Sequence, residues 1–336
     1  MPKVFITGGT GFIGGNLIGK LLEKGYSVKV LIRNHGLETH CSASLLDKFS
    51  WKNNVEILNG DILEPETFQG KINDCEIIIH CAALIAFWNR LWDKIYRVNV
   101  IGTKNILDEA LKSGCKKFIH ISSVAAIGYG ENGEPVNEDH PYNWTKHNIS
   151  YMETKHDAEK EVYKAIEKGL NATIVNPANV WGVGDYRGRR TPIIKAVKFS
   201  QPFYVKSGTN FIDVEAVCEA TINAIYMGKC GERYILGGEN LSIKDFLSII
   251  ADEIGARKPS IKLPKLPIIL FSYSQEALGI FTKKSPKPSA SQLCFFGRNI
   301  FYDSSKAIRE LKMPIISFRE CIKKTVRFYR ENKLLP

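Results

Sequence analysis

The chain opens on a compact apolar run, Lys3 to Thr7, that breaks into Gly8-Gly9-Thr10-Gly11-Phe12-Ile13-Gly14 and continues as a helical pattern to Lys24. Strand, glycine turn and amphipathic helix, in that order and at the start of the chain, form the opening unit of a doubly wound parallel sheet. Gly8 permits the tight turn, Gly11 lets the backbone approach a pyrophosphate, and Gly14 lets the helix pack closely on the strand. The helix N-terminus then presents free N–H groups and a partial positive charge to phosphate.

The alternation continues downstream. Ser27 to Ile32, Val55 to Asn59, Glu76 to Ile79, Lys117 to Ile121 and Ala172 to Asn176 read as buried strands, each an apolar run bounded by polar or glycine punctuation. Helical patterns lie between them, among them Lys94 to Lys112 and Ser150 to Lys168. This rhythm predicts an α/β fold, a Rossmann-type parallel sheet covered by helices on both faces. After Pro177 the rhythm changes to a glycine- and arginine-rich loop (Gly182 to Arg190), a short strand near Phe203 to Val205, a helix from Val214, and a proline-punctuated stretch from Lys258 to Pro288. Residues 1–180 are therefore expected to bind the dinucleotide, with segments returning from the C-terminal half, and 181–336 to form mainly a smaller α/β substrate-binding lobe.

Charge and cysteine usage narrow the function. The net charge of +11 arises from lysines spread along the whole chain, with dense groups at Arg187, Arg189, Arg190 and at Lys283, Lys284, Lys287. That distribution suits a solvated surface and an anionic cofactor better than a nucleic acid. Eight cysteines without a CxxC pair point to free thiols rather than a zinc cage or redox dithiol, and no HExxH or carboxylate cluster argues for a metal. Glycines stand where a signal peptide needs apolar residues, so a cytoplasmic protein is expected. The apolar run Leu266 to Tyr273 is interrupted by Pro267 and falls far short of the roughly 20 residues of a membrane span. It reads as core or as a lid over a pocket, with peripheral membrane contact left open.

The second strand ends at Arg33, where a ribose 2′-hydroxyl would usually meet an acidic residue. A cation there suits a 2′-phosphate, so NADP is expected over NAD, with Arg33 merely stacking on the adenine as the alternative.

On these residues the chain resembles the extended short-chain dehydrogenases/reductases, in particular the dihydroflavonol-4-reductase-like and 3β-hydroxysteroid-dehydrogenase-like branch of the epimerase/dehydratase superfamily. The likeness rests on TGGTGFIG at 7–14, Gly60-Asp61-Ile62, Ile79-His80-Cys81-Ala82-Ala83, Asn99 with Gly102-Thr103, Ile121-Ser122-Ser123, Tyr151-Met-Glu-Thr-Lys155, Asn176-Pro177-Ala-Asn179-Val180 and Phe301 to Ala307. The resemblance implies that Asp61 and Ile62 meet the adenine, that Cys81, Ala82 and Ala83 line the nicotinamide ribose, and that Pro177 and Val180 pass the carboxamide. It also implies a water-holding role for Asn99, which as a plain hydrogen bonder in a helix would look identical, and a monomer or homodimer. Two departures are Glu64, where many relatives carry a second Asp, and the offset of Gly128-Tyr129-Gly130. The offset leaves the serine register open between Ser122 and Ser123. Ser123 fits this branch, with Ser122 turned into the sheet.

The chemistry explains the residue types. Carbonyl reduction creates an alkoxide, so the site must supply a proton and hold the oxygen. Tyr151 is the expected general acid/base, and Lys155, one helical turn on, is expected to lower its pKa and bond the nicotinamide ribose. Ser123 is expected to hold the substrate oxygen. Phe87, Trp88 and Asn179 are candidates for the substrate pocket, the two aromatics with ordinary core packing as an equal alternative. His80 and His120 read as packed, hydrogen-bonded histidines. The expected activity is NAD(P)-dependent hydride transfer to or from a small, hydrophobic ketone or alcohol. A nucleotide-sugar epimerase or dehydratase with tightly held NAD, using Arg187, Arg189 and Arg190 for a diphosphate, stays open, as does a dinucleotide sensor without turnover.

Overall fold

The computed structural model describes residues 2–33, 47–188, 190–199, 202–282, 286 and 289–335. Arg189, Lys283, Lys284 and Lys287 of the two basic groups lie outside them. The strands are β1 (Lys3–Thr7), β2 (Ser27–Ile32), β3 (Glu56–Asn59), β4 (Ile77–His80), β5 (Lys117–Ile121), β6 (Ala172–Pro177), β7 (Asn179–Trp181), β8 (Phe203–Tyr204), β9 (Gly208–Asp213), β10 (Arg233–Leu236), β11 (Glu239–Ser242), β12 (Ile261–Lys262) and β13 (Asn299–Ile300). The helices are α1 (Phe12–Glu23), α2 (Trp92–Tyr96), α3 (Gly102–Ser113), α4 (Ser150–Glu167), α5 (Thr191–Lys198), α6 (Val214–Met227), α7 (Ile243–Ile254), α8 (Lys265–Thr282), α9 (Ser305–Glu310) and α10 (Phe318–Glu331).

Among the described residues, seven strands form one parallel sheet in the order β10-β6-β5-β4-β1-β2-β3. Its central strands read as near-continuous apolar runs because both faces are covered. On one face Leu17, Ile18 and Leu21 of α1 pack with Val217 and Ile222 of α6. On the other, Ile106 and Leu107 of α3 pack with Val162 of α4. Each such side chain contributes roughly 1.5–3 kcal/mol through burial. The order reverses between β1 and β4, and that switch point opens the crevice at the carboxyl ends of the strands, where the site residues collect.

The second half adds a sheet centred on β9, with β11 antiparallel to it and β7 and β13 parallel. Trp181, Phe211, Phe246 and Phe318 knit it to α7 and α10, the Phe211 and Phe246 rings stacking at 4.3 Å. The chain returns from this half to place β10 beside β6 as the seventh strand of the main sheet.

Two elements differ from the sequence reading. Lys94 to Lys112 is not one regular helix: a π turn at Arg97–Ile101 separates α2 from α3. Its widened turn accompanies capture of the Leu84 backbone by Asn99. The run Leu266 to Tyr273 is not core. It lies in α8, with Leu266, Leu270, Phe271 and Tyr273 more than half exposed. Pro267 does not end that helix because it falls in the first turn, where its missing N–H has no intrahelical partner to lose. No helix among the described residues is long and apolar enough to cross a membrane.

Candidate active site

The glycine turn is built so closely that side chains would not fit. Gly8 has φ +72°, and a Cβ there would lie 2.7 Å from the Ala82 nitrogen. A Cβ on Gly14 would come within 2.3 Å of the Gly8 carbonyl oxygen, and the Gly11 N–H donates to that same oxygen at 2.8 Å. Gly11 occupies the cap position of α1 and offers no side-chain acceptor to the first-turn N–H groups. The result is a bare, positively polarised cradle rimmed by Thr10, Phe12 and Ile13, whose shape fits a pyrophosphate.

At the end of β2 the Arg33 guanidinium stands 3.8 Å from the Asp61 carboxylate, which follows β3. Asp61 is held in turn by the Leu63 N–H at 2.9 Å. Ile62 packs over Gly102, and Asn105 donates to the Ile62 carbonyl at 2.9 Å. Cys81, Ala82 and Ala83 follow β4 beside the turn, where the Cys81 N–H donates to the Thr7 carbonyl at 3.2 Å. Burial pushes the Cys81 thiol up to about 12.

Ser123, Tyr151 and Lys155 converge from two elements. Ser123 ends the strand segment after β5, and its hydroxyl accepts from the Ala125 N–H at 3.2 Å. Tyr151 sits in the first turn of α4, buried, with its phenol pushed up to about 12 by desolvation while the facing Ser123 hydroxyl works against this. Lys155 is buried one turn on and donates to the Ile121 carbonyl at 3.0 Å. Desolvation lowers its ammonium to about 8, opposed by the charge of Glu159. The ammonium is turned to a carbonyl, and removal from water dominates the phenol.

Beneath them lies a polar layer that sequence reasoning missed. Glu159, buried on α4, accepts from the Asn176 amide at 2.6 Å and lies 3.5 Å from the Arg233 guanidinium. Asn176 also donates to the Ser123 carbonyl at 2.9 Å, tying the serine to this layer. Ser122 is buried and faces Glu159, inside the sheet as expected. His80 bonds Thr7 at 2.7 Å and Thr103 at 3.0 Å. His120 is packed on His80, with ring centroids 5.6 Å apart, but makes no hydrogen bond among the described residues, which corrects that part of the reading. Burial and the nearby Lys155 hold the His120 imidazole well below its usual range, so it stays neutral. Asn99 uses its amide on both Leu84 backbone groups, at 2.7 and 3.1 Å, and on the Thr154 hydroxyl at 3.1 Å.

On the substrate side the Phe87 ring lies 5.6 Å from that of Tyr151, and the Phe295 ring 6.1 Å from Phe87. Trp88 is buried, whereas Asn179 and Pro177 lie at the β6–β7 junction with Val180, Asn179 exposed. Phe295 comes from a short 3₁₀ turn, Ala290–Phe295, whose preceding Ser289 and whose Ser291 both donate to the Phe87 carbonyl. Gln292 accepts from the Ser289 N–H at 3.0 Å. The Ser-x-x-Gln spacing that signals such a cap was present in the sequence. Arg190 lies over the rings of Phe12 and Trp181, at 5.3 and 5.4 Å, and donates to the Val180 carbonyl.

A family model described as the NAD dependent epimerase/dehydratase family matches residues 4–237. The chain belongs to that family. Among curated proteins, this family member is similar to a putative dihydroflavonol 4-reductase of Synechocystis sp. (31% identity, 98% of this chain and 94% of the relative). It is also similar to the sterol demethylase protein B of Methylococcus capsulatus (26% identity, 98% and 99%). Among solved structures it matches that of gox2253 with a TM-score of 0.82, at 29% identity and over 100% of both chains. The UDP-glucose 4-epimerase of Thermotoga maritima shares the fold, with a TM-score of 0.77 at 22% identity over 98% and 99%. This member of the epimerase/dehydratase family is an enzyme of the extended short-chain dehydrogenase/reductase type, working with a nicotinamide dinucleotide on CH–OH groups.

Proposed function

We propose that the protein interconverts a small, apolar ketone and its alcohol, with NADP as the favoured dinucleotide. The observation that carries this reading is the meeting of Ser123, Tyr151 and the Phe87 ring at the same end of the sheet as the bare glycine cradle. Gly8, Thr10, Gly11, Phe12, Ile13 and Gly14 would hold the pyrophosphate. Arg33, Asp61 and Ile62 would hold the adenosine end, and Cys81, Ala82, Ala83, Tyr151, Lys155, Pro177 and Val180 the nicotinamide end. When bound, the nicotinamide supplies or accepts the hydride.

The chain's own residues manage the proton and the oxygen. At neutral pH the buried Tyr151 phenol stays protonated, and an alkoxide, being more basic than a phenolate, draws that proton from Oη. The Ser123 oxygen accepts from the Ala125 N–H, and its proton is held only by a long 3.5 Å contact to the Pro177 carbonyl, which a substrate oxygen would replace. Lys155, charged below about pH 8, stabilises the phenolate left behind. Phe87 and Phe295 offer an apolar wall to the substrate. Arg33, half exposed beside Asp61, suits a 2′-phosphate. Arg190, one cation that a sugar diphosphate would draw on, is packed between two rings, which supports the ketone reading over the sugar one.

The test is a panel of aromatic and steroid-like ketones with NADPH and NADH in parallel. Tyr151→Phe is expected to lose roughly 10²–10⁴-fold in turnover while still binding NADPH, and equal activity in the variant would end the mechanism. Arg33→Asp is expected to move preference from NADPH toward NADH. An unchanged ratio would show that another residue selects the cofactor.

A further inference from the structure

Helix α8 carries large apolar side chains on its outer side. Among its described residues Ser272 and Gly279 are the buried positions, and Glu276 turns inward to accept from the Ala290 N–H at 3.2 Å. Large apolar residues lie on its outer side, Leu266 65% exposed, Leu270 62%, Tyr273 59%, Leu278 53% and Phe281 85%, while Ile268 and Ile269 are half-buried. Leu266, Leu270, Tyr273, Ala277 and Phe281 follow a spacing of four, three, four and four, so they form one stripe along the outer side. An exposed apolar stripe of this length on a folded chain marks an interaction surface.

Charge says what covers it. Helix α8 begins three residues after β12, whose exposed Ile261 pairs with the exposed Phe203 of β8, extending the apolar surface. Lys206, Lys262 and Lys265 stand exposed around that end, and Lys244 lies over the Tyr204 ring at 5.5 Å. Among the described residues none of Lys206, Lys262 and Lys265 is in an ion pair. The single carboxylate of α8, Glu276, is spent inward. A second copy of the chain would bring these lysines against one another, whereas an anionic lipid headgroup layer would neutralise them. The helix is too polar to span a bilayer, and a helix with an apolar stripe and a basic rim lies in the interface instead.

We propose that α8 docks the protein on an anionic membrane surface, its Leu266–Phe281 stripe dipping into the acyl boundary and Lys206, Lys262 and Lys265 meeting the headgroups. The helix packs on the 3₁₀ turn that carries Phe295, and through Phe295 and Phe87 that contact reaches Tyr151. The docked face thus adjoins the apolar wall of the active site.

Vesicle sedimentation tests this, with phosphatidylcholine vesicles prepared with and without phosphatidylglycerol. The wild-type protein is expected to sediment with the anionic vesicles and to be released by high salt. The double variant Leu270→Glu/Phe281→Glu is expected to bind at least about tenfold more weakly. Lys262→Ala and Lys265→Ala are each expected to weaken binding about fivefold. NADPH titration and an unchanged unfolding midpoint show that the variants are folded. Failure of the wild type to sediment, or equal sedimentation of the double variant, overturns the proposal. So does a dimer on a sizing column that the double variant dissolves while vesicles are ignored. The readout is mass bound to lipid, so it stands or falls independently of the ketone reading.

Discussion

Leaving water acts on Tyr151 and Lys155 in opposite senses on the pKa scale. Each loses stability in its charged form, so the phenol rises to about 12 while the ammonium falls to about 8. At neutral pH the pair therefore presents a neutral acid beside a cation, the combination that reduction needs. The rate of ketone reduction is expected to hold level through neutral pH and to fall above about pH 8 as Lys155 loses its proton. A kcat/KM profile with no fall there would remove Lys155 from the reaction. The same shift has a consequence for stability. The folded pKa lies below the ordinary 10.5, so the unfolded chain binds the proton more tightly between about 8 and 10.5, and stability rises with pH through that window. Below it the cost of burying the ammonium is present in full. Lys155→Met is therefore expected to raise stability at pH 7 by about 1 kcal/mol, net of the lost bond to Ile121, while abolishing turnover. Calorimetry showing a lowered midpoint would contradict this. The Tyr-x-x-x-Lys spacing was legible in the sequence because a helical turn brings such residues together. The direction of both shifts was not, because it depends on burial.

At the scale of elements, the strand-turn-helix opening works because its glycines are required for different reasons. A methyl group on Gly14 would meet the Gly8 carbonyl, a backbone atom that cannot swing aside, whereas one on Gly19 of the same helix would meet nothing within 4 Å. Gly14→Ala is expected to destroy NADPH binding. Gly19→Ala is expected to leave it intact and stabilise the protein by roughly 0.5–1 kcal/mol through helix propensity. Fluorescence titration and urea unfolding of the two variants check both statements, and comparable cofactor binding by both would refute the close-packed cradle. The boundaries of β1, β2 and β5 were readable to the residue because an apolar run between polar stops leaves little latitude. The π turn around Asn99 and the outward apolar stripe of α8 were hidden, since helical periodicity is blind to a single widened turn and to which side of a helix meets the body.

For the molecule as a whole, Arg233 joins parts that are far apart in the chain. From β10 its Nε donates to the Glu138 carbonyl at 2.7 Å, and its Nη1 lies 3.5 Å from Glu159 on α4. Removing it would leave buried Glu159 with Lys155 as its remaining cationic neighbour and the Asn176 amide as its hydrogen-bond donor. Arg233→Met is thus expected to cost about 3 kcal/mol in urea unfolding, with Glu159→Gln in the same chain recovering part of the loss. Additive losses would show that the two residues do not interact. What the sequence determined alone is local and periodic: the alternation of strands and helices, the glycine turn, the tyrosine and lysine one turn apart, and the cation at the end of β2. Each follows from backbone geometry within a few residues. Only the tertiary structure decided that the returning strand is β10 and that it pairs with β6, that Phe295 and Glu159 sit around Ser123 and Tyr151, and that α8 shows an apolar stripe to solvent. Those outcomes depend on contacts between segments distant in sequence, where the free energy of burial acts on whatever surfaces the fold brings together.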